Sequence, residues 1–142
     1  MSTLIPNRVC TRLEKTAREA AARAYAPYSK FRVGAAVWAG SGKIYGGGNV
    51  ENASYGLCNC AERTAVFTAL AAGERTLKAV VVYTPTAKPT APCGACRQVL
   101  NEFGPSAAVL SICDTSARLE TTLESLLPMA FGPERLVPGM RR

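Results

Sequence analysis

The sequence predicts an α/β protein, a three-layer α/β/α sandwich with a central mixed sheet, formed by a single domain over residues 1–142. Three observations lead to this prediction. Segments with helical spacing of apolar residues alternate along the chain with short β-capable segments. Residues 79–83 (AVVVY) are apolar at successive positions, which indicates a strand covered on both faces. With 142 residues, the chain is long enough to bury a full hydrophobic core.

The N-terminal third of the chain predicts a helix followed by a β-hairpin. Apolar residues at helical spacing, with charges between them, indicate an amphipathic helix over residues 6–25, and Pro27 is expected to end it. Residues 33–39 are apolar and β-capable. A Gly-Ser-Gly turn then leads to a second strand near residues 43–46. The glycine-rich residues 46–49 are expected to form a loop.

The middle of the chain predicts two helices on either side of a buried strand. Residues 60–72 are helix formers, and Gly73 stands where a C-cap glycine would. The apolar run at 79–83 forms the strand. Apolar residues then follow Cys96 at the i+3, i+4 and i+7 positions, so the Cys-x-x-Cys motif opens the next helix.

The C-terminal part predicts one more buried strand, over residues 107–112, and a small α/β tail. Thr121 and Glu124 have the spacing of a capping box before a last short helix, which Pro128 stops. The predicted order is therefore α-β-β-α-β-α-β followed by that tail.

Composition excludes several classes of site and partner. The chain has no histidine, which excludes histidine-based zinc sites, Ser-His triads and Cys-His dyads. No apolar run approaches the length of a membrane span, and residues 1–12 lack the apolar core of a secretory signal. A cytoplasmic protein is expected, with its cysteines as thiols or metal ligands. The formal net charge of +7 is dispersed, which favours a solvated surface and no nucleic-acid partner.

Three of the six cysteines have the spacing of a catalytic zinc site. Cys93 and Cys96 form a pair and Cys60 is a distant third ligand, so one Zn²⁺ per chain would keep its fourth position for water. A closed structural site that uses Cys58 as a fourth ligand is the main alternative, although Cys58-x-Cys60 spacing suits an extended segment and Cys60 begins a helix. Cys10, Cys58 and Cys113 are otherwise expected to be buried small hydrophobes.

Two residues next to the first zinc ligand have chemical roles in this hypothesis. Glu62 is well placed to carry protons to and from the bound water, and the pattern ligand-x-Glu followed by Pro-Cys-x-x-Cys is a deaminase signature. Three thiolates around Zn²⁺ leave a formal charge of −1. Arg63 could compensate this charge by hydrogen-bonding to ligand sulfurs.

Four motifs in order resemble the small, homotetrameric, zinc-dependent cytidine deaminases of pyrimidine salvage. They are YAPYSKF at 25–31, NVEN at 49–52, CAERTA at 60–65 and PCGACRQ at 92–98. The C-terminal Leu126-Leu127-Pro128 with Phe131-Gly132 is similar to the same family. The resemblance covers nearly the whole chain. It implies hydrolytic deamination of cytidine and deoxycytidine to uridine and deoxyuridine, with release of ammonia.

The resemblance also implies roles for the residues that contact substrate. Asn49 and Glu51 are expected to hold the ribose 3′-hydroxyl, and Phe31 to pack near the pyrimidine ring. Tyr55 and Phe131 are expected to reach into the site of a neighbouring subunit. Val50 and Ala61 complete the implied substrate-binding set.

The chain departs from the family pattern at two places, and two other functions compete. Arg32 stands where proline is common, and Gly47-Gly48 where a cysteine often precedes the asparagine.

A polynucleotide-editing deaminase would use the same zinc chemistry, but Glu51 as acceptor for a free 3′-hydroxyl argues against a phosphodiester there. A deaminase of nucleoside-like antibiotics is a closer alternative. A role for Phe131 in the core of its own subunit also remains open.

Overall fold

The computed structural model describes residues 2–140, which contain one five-stranded mixed sheet. The strands are β1 (Gly34–Ala39), β2 (Ile44–Gly48), β3 (Leu77–Tyr83), β4 (Ala108–Ile112) and β5 (Arg118–Thr122). The helices are α1 (Asn7–Ala22), α2 (Ala61–Ala71), α3 (Gly94–Phe103) and the short α4 (Leu123–Leu126). The strand order is β2-β1-β3-β4-β5; β3 and β4 are parallel, and the other pairs are antiparallel.

Helices cover both faces of this sheet, which confirms the predicted three layers. On one face, Leu13 and Ala17 of α1 belong to a buried cluster with side chains of β1, β3 and β4, including Val81. On the other face, Val66 of α2 and Leu100 of α3 belong to a second cluster with alternate residues of the same strands. Successive side chains of a strand point to opposite faces, so an apolar run such as β3 fills both layers. Among residues 2–140, no helix combines the length and the apolar character needed to cross a bilayer.

The first helix ends earlier than the sequence pattern predicts. Helix α1 stops at Ala22, not at residue 25, so Pro27 does not end it. Tyr25 instead pairs with residues 49–51, through a hydrogen bond from its N–H to Asn49 O and one from Glu51 N–H to its carbonyl. The presence of arginine at position 32, where the family commonly has proline, has a structural role here. The Arg32 guanidinium donates a hydrogen bond to the Ala22 carbonyl at 3.4 Å and so helps to cap the helix.

The glycine-rich segment predicted as a loop is mostly strand β2, which runs to Gly48 and not to residue 46. Its glycines allow helices to approach from both sides. A Cβ on Gly47 would lie 2.3 Å from the backbone nitrogen of Ala65 in α2. A Cβ on Gly48 would lie 2.7 Å from the carbonyl oxygen of Ala20 in α1. The second departure from the family pattern is therefore a requirement of close packing in this chain.

The C-terminal tail contains an edge strand, β5, that the sequence analysis did not define. Its sequence (RLETT) is too polar to show alternation, and it pairs antiparallel with the buried β4. The helix that follows is capped by Thr122, not by Thr121: the Thr122 hydroxyl accepts a hydrogen bond from Ser125 N–H at 3.3 Å. Gly73 follows α2 with φ +96°, as a C-cap glycine should.

Candidate active site

Three cysteine thiols converge where two helices begin. Cys60 is the N-cap residue of α2, Cys93 is the N-cap residue of α3, and Cys96 lies in the first turn of α3. Their sulfur atoms all lie within 4.8 Å of one another, and the Cys60 and Cys93 sulfurs are 3.8 Å apart. Within residues 2–140, no other group of His, Cys, Asp or Glu side chains converges in this way. The positive ends of both helices favour the thiolate forms.

The donor set fits a zinc ion that keeps one ligand position open. Three soft thiolates at this spacing suit Zn²⁺, and three protein ligands are typical of catalytic sites. Cys58 is not part of the cluster; its sulfur accepts a hydrogen bond from Asn52 N–H at 3.3 Å. The geometry therefore does not support a closed four-cysteine site. Cys58 is also only half-buried, so the expectation of a buried small hydrophobe is wrong for Cys58 but confirmed for Cys10 and Cys113.

Hydrogen bonds to Cys60 favour its thiolate. The bond from the Cys96 thiol, together with the Arg63 guanidinium, lowers the pKa of Cys60 to about 5. Nη2 of Arg63 lies 3.1 Å from the Cys60 sulfur. The predicted contact between Arg63 and a ligand sulfur is thus present, and Cys60 is prepared to bind a cation without prior deprotonation at neutral pH.

Glu62 is a buried carboxyl in the first turn of α2, with a side chain only 5% exposed. Burial raises the pKa of Glu62, and the nearby Cys60 charge raises it further. A carboxyl whose pKa is shifted towards neutrality can both accept and return a proton near pH 7. Glu62 lines the same cavity as Cys60 and Cys93.

A cavity of about 290 Å³ opens beside the thiols. It brings together many of the residues that the sequence analysis selected: Phe31, Asn49, Glu51, Cys60, Ala61, Glu62 and Cys93. These residues come from four separate motifs, which the fold places around one space. The volume suits a small molecule of nucleoside size better than a macromolecule.

Asn49 and Glu51 also hold the loop that carries Phe31. The Asn49 side chain donates to the Phe31 carbonyl at 2.9 Å and accepts from Val33 N–H at 2.8 Å. One oxygen of Glu51 accepts the backbone N–H groups of Tyr28 and Ser29, at 2.9 and 3.1 Å. Hydrogen bonding from Ser29 lowers the pKa of Glu51, which keeps this carboxylate charged.

Three residues of the predicted substrate set lie outside this cavity. Val50 is 47% exposed and pairs through its backbone with Asn59. Tyr55 is 72% exposed and packs edge-on against Tyr28, with ring centroids 5.7 Å apart. Phe131 is 57% exposed, so the alternative that it belongs to the core of its own subunit is wrong.

Six further residues line the cavity and were not predicted to do so from the sequence: Val33, Cys58, Asn59, Thr84, Thr90 and Ala91. Thr84 directly follows the buried strand β3, and its hydroxyl lies 2.8 Å from that of Thr86. A polar residue just after a buried strand is a usable signal for a site at that sheet edge. The short segment that contains Thr90 and Ala91 precedes the Cys-x-x-Cys motif and carries no comparable signal.

Three convergent thiols and a buried carboxyl, placed where two helices begin beside a mixed sheet, are the arrangement of zinc-dependent deaminases. A family profile described as "Cytidine and deoxycytidylate deaminase zinc-binding region" matches residues 9–112. This match covers well over half of the chain. The chain therefore belongs to the cytidine deaminase family, and the Cys60, Cys93 and Cys96 cluster is its zinc site.

Individual relatives agree with this assignment along nearly the full length. A cytidine deaminase from Sporosarcina psychrophila is 49% identical over 123 residues, which are 86% of this chain and 88% of the relative. The crystal structure of a cytidine deaminase from Burkholderia pseudomallei is similar with a TM-score of 0.82 and 49% identity, over 89% of this chain and 100% of that one. The cytidine deaminase from Mycobacterium tuberculosis gives a TM-score of 0.75 and 43% identity, over 87% and 97%.

Proposed function

We propose that the protein catalyses the hydrolytic deamination of cytidine and deoxycytidine to uridine and deoxyuridine, with release of ammonia, in pyrimidine salvage. The position of Glu62 is the observation that carries this proposal. Its buried carboxyl lies two residues after Cys60, in the wall of a cavity that also contains Cys93. Deamination at C4 needs such a group because one proton of the water has to reach the ring nitrogen and the other has to reach the leaving amine.

The residues of the site divide this chemistry between binding and proton transfer. Cys60, Cys93 and Cys96 would hold a zinc ion, which would supply Lewis-acid chemistry to a water molecule in the cavity. Glu62 takes one proton from the attacking water and gives it to N3 of the ring. It then takes the second proton of that water and gives it to the leaving amine. The balance is one cytidine and one water giving one uridine and one ammonia.

The cavity lining supports a ribose-bearing substrate. Glu51 lines the cavity and uses only one carboxylate oxygen for backbone N–H groups, so its other oxygen is available to accept the 3′-hydroxyl. Asn49 lies beside it, and Phe31 and Ala61 border the position of the pyrimidine. Val50 contributes through its backbone, since its two hydrogen bonds with Asn59 hold the segment that carries Asn49 and Glu51.

A homotetramer is the second part of the proposal. The cavity is open in a single chain, yet hydrolysis of a bound nucleoside benefits from exclusion of bulk water. Tyr55 and Phe131 are large apolar side chains that are mostly exposed in their own chain. In an assembly, each would close the cavity of a neighbour. A cytoplasmic location accompanies this proposal, because all six cysteines are free thiols and the zinc ligands have to stay reduced.

One assay tests the reaction and the substrate class together. Purified protein, with zinc quantified per chain, is incubated with cytidine, deoxycytidine, cytosine base, 3′-cytidine monophosphate and a cytosine-containing oligonucleotide. Conversion is followed by ultraviolet absorbance. We expect both free nucleosides to react and the other three to react poorly. Efficient conversion inside the oligonucleotide, or no reaction of the nucleosides, would overturn the proposal.

Light scattering at assay concentration should report four chains per particle.

A further inference from the structure

Helix α3 makes two sets of contacts that serve different parts of the molecule. Its beginning supplies Cys93 and Cys96 to the zinc site. Beginning with the residue after Cys96, three polar side chains of this helix contact the C-terminal segment, residues 126–131. They are Arg97, Gln98 and Asn101, and all three donate hydrogen bonds to backbone carbonyls.

These hydrogen bonds fix the C-terminal segment at both of its ends. Nη1 of Arg97 donates to the Leu126 carbonyl at 3.0 Å. The Phe131 carbonyl accepts two donors, Nε2 of Gln98 at 2.9 Å and Nδ2 of Asn101 at 3.3 Å. The backbone of Phe131 is thus held by α3 while its ring remains mostly exposed.

The backbone between the two fixed ends adopts a costly conformation. Met129 has φ +52°, in the left-handed region that a residue with a side chain rarely occupies. Its side chain is fully exposed, so packing of that side chain does not stabilise this conformation. Such a conformation persists when its surroundings impose it. The bonds from Arg97 on one side, and from Gln98 and Asn101 on the other, supply that constraint.

We infer that Gln98 and Asn101 are positioning residues that orient Phe131 towards the cavity of a neighbouring chain. Helix α3 then supplies zinc ligands to the site of its own chain and a fixed closing residue to the next site. This inference rests on the proposed homotetramer, in which Phe131 closes the neighbouring cavity. Neither amide contacts substrate; both act through the Phe131 carbonyl.

The first test replaces Gln98, whose exposed position makes the substitution safe for folding. Gln98→Met keeps the length of the side chain and removes the donor. We expect KM for cytidine to rise about three- to tenfold, the effect of one lost hydrogen bond, with kcat within about twofold of wild type. Zinc content and the urea midpoint should not change. Glu102→Gln, an exposed change on the same helix, is the matched control and should leave KM unaltered.

A double-mutant cycle separates positioning of Phe131 from a general effect on the fold. If Gln98 acts through Phe131, then Gln98→Met should add little to the KM of Phe131→Ala. Fully additive effects on KM would mean that the two residues act independently, and the inference would be wrong. The same cycle with Asn101→Ser, checked first for an unchanged urea midpoint, tests the second donor.

Mixed tetramers decide whether Gln98 acts on its own site or on a neighbour's. Gln98→Met chains are coassembled with about a ninefold excess of Glu62→Gln chains, which have no proton carrier but intact Gln98 and Phe131. Each active site then receives Phe131 from a neighbour with a complete α3 contact. We expect KM to return to within about twofold of wild type. A KM that stays raised would overturn the inference.

The same mixture prepared with Phe131→Ala chains distinguishes this inference from the proposed function. Rescue of Phe131→Ala without rescue of Gln98→Met would refute the positioning role and leave the shared site intact. Failure to rescue Phe131→Ala, or monomers in light scattering, would refute the shared site and the positioning role together. Deamination of cytidine would still be tested separately by the direct assay.

Discussion

Nη2 of Arg63 lies 3.1 Å from the sulfur of Cys60, the first of the three zinc ligands. The contact joins consecutive turns of one helix, since Arg63 is three residues after the ligand at the N-cap of α2. Three thiolates around Zn²⁺ leave a formal charge of −1, which works against ionisation of a bound water. A guanidinium at this position offsets that charge and withdraws electron density from the sulfur.

Replacing Arg63 should therefore reduce turnover more than it reduces metal content. For Arg63→Gln we expect zinc to remain at one ion per chain when zinc is supplied in excess. We expect kcat to fall about 10–100-fold, as for other residues that orient or polarise metal ligands. Arg63→Lys should recover only part of this loss, because a single ammonium lacks the planar fork of arginine. Metal analysis and steady-state kinetics on the same samples check both points, and wild-type turnover of Arg63→Gln would contradict the charge argument.

Substitution of Glu62 should separate zinc binding from proton transfer. Glu62→Gln preserves the shape of a buried side chain and removes the group that carries the proton. General acid–base catalysis is worth about 10²–10⁴-fold, and a carboxyl that serves two transfers should exceed that range, so we expect kcat to fall by more than ~10⁴. Zinc content and the unfolding midpoint should stay close to wild type. A Glu62→Gln protein that keeps a tenth of wild-type turnover would rule out this role.

The close approach of β2 to α2 predicts a large effect of one methyl group. Gly47→Ala would place a Cβ 2.3 Å from the Ala65 backbone nitrogen, and backbone cannot move aside as a flexible side chain can. We expect the free energy of unfolding to fall by about 1–3 kcal/mol, measured by urea titration. Gly56→Ala is the matched control, since no described atom lies within 4 Å of its added Cβ. Equal stability of the two variants would show that α2 can shift at little cost.

Local spacing allowed the core of the fold and the metal cluster to be predicted. The buried strand β3 and the helices that start at Cys60 and Cys93 follow from apolar periodicity and from the ligand motifs. Strand β5 could not be found in this way, because an edge strand has a solvated side and needs little apolar alternation. The predicted end of α1 was also wrong, because the backbone N–H and carbonyl of Tyr25 form hydrogen bonds with residues 49–51 and so cannot continue the helix.

The parts of the site that depend on long-range contacts were harder to predict. Glu51 was selected for its expected contact with ribose, but nothing local shows that it also binds the backbone of residues 28 and 29. Thr84 lines the cavity because strand β3 ends at Tyr83, next to the site, and this position follows from the fold rather than from local sequence. The exposure of Phe131 could not be derived from its apolar character, which fits a core residue equally well.

The N-terminal segment should make stability sensitive to acid through Glu120. This carboxylate, on edge strand β5, accepts hydrogen bonds from Ser2 and from the backbone of Thr3 and Leu4. Burial alone would raise its pKa, but hydrogen bonds from Ser2, Thr3 and Leu4 outweigh burial and lower it to about 2. A lowered pKa in the folded state means that the stabilisation is fully present above the unfolded value, about 4.3, and is lost below it.

The corresponding measurement compares wild type with Glu120→Gln across acidic pH. Above about pH 5, the wild type should be more stable by a constant amount. The difference should shrink as the pH falls from about 4.3 towards 2, because both proteins then carry a neutral group at this position. Urea titrations at each pH give the difference directly, with Glu102→Gln as an exposed control. A difference that grows as the pH falls would contradict the hydrogen-bond pattern.

Cys58 provides the clearest test of how many cysteines bind the metal. Its sulfur accepts a hydrogen bond from the Asn52 backbone N–H and lies outside the cluster of the three zinc ligands. Cys58 does line the substrate cavity. We therefore expect Cys58→Ala to retain one zinc per chain and to keep kcat within about threefold of wild type, with any change appearing in KM. The variant loses only two weak hydrogen bonds, both to the Asn52 backbone. Cys60→Ala is the matched control and should lose zinc and activity together. Loss of zinc from Cys58→Ala would mean that four cysteines close the site, and no position would then remain for the water that deamination consumes.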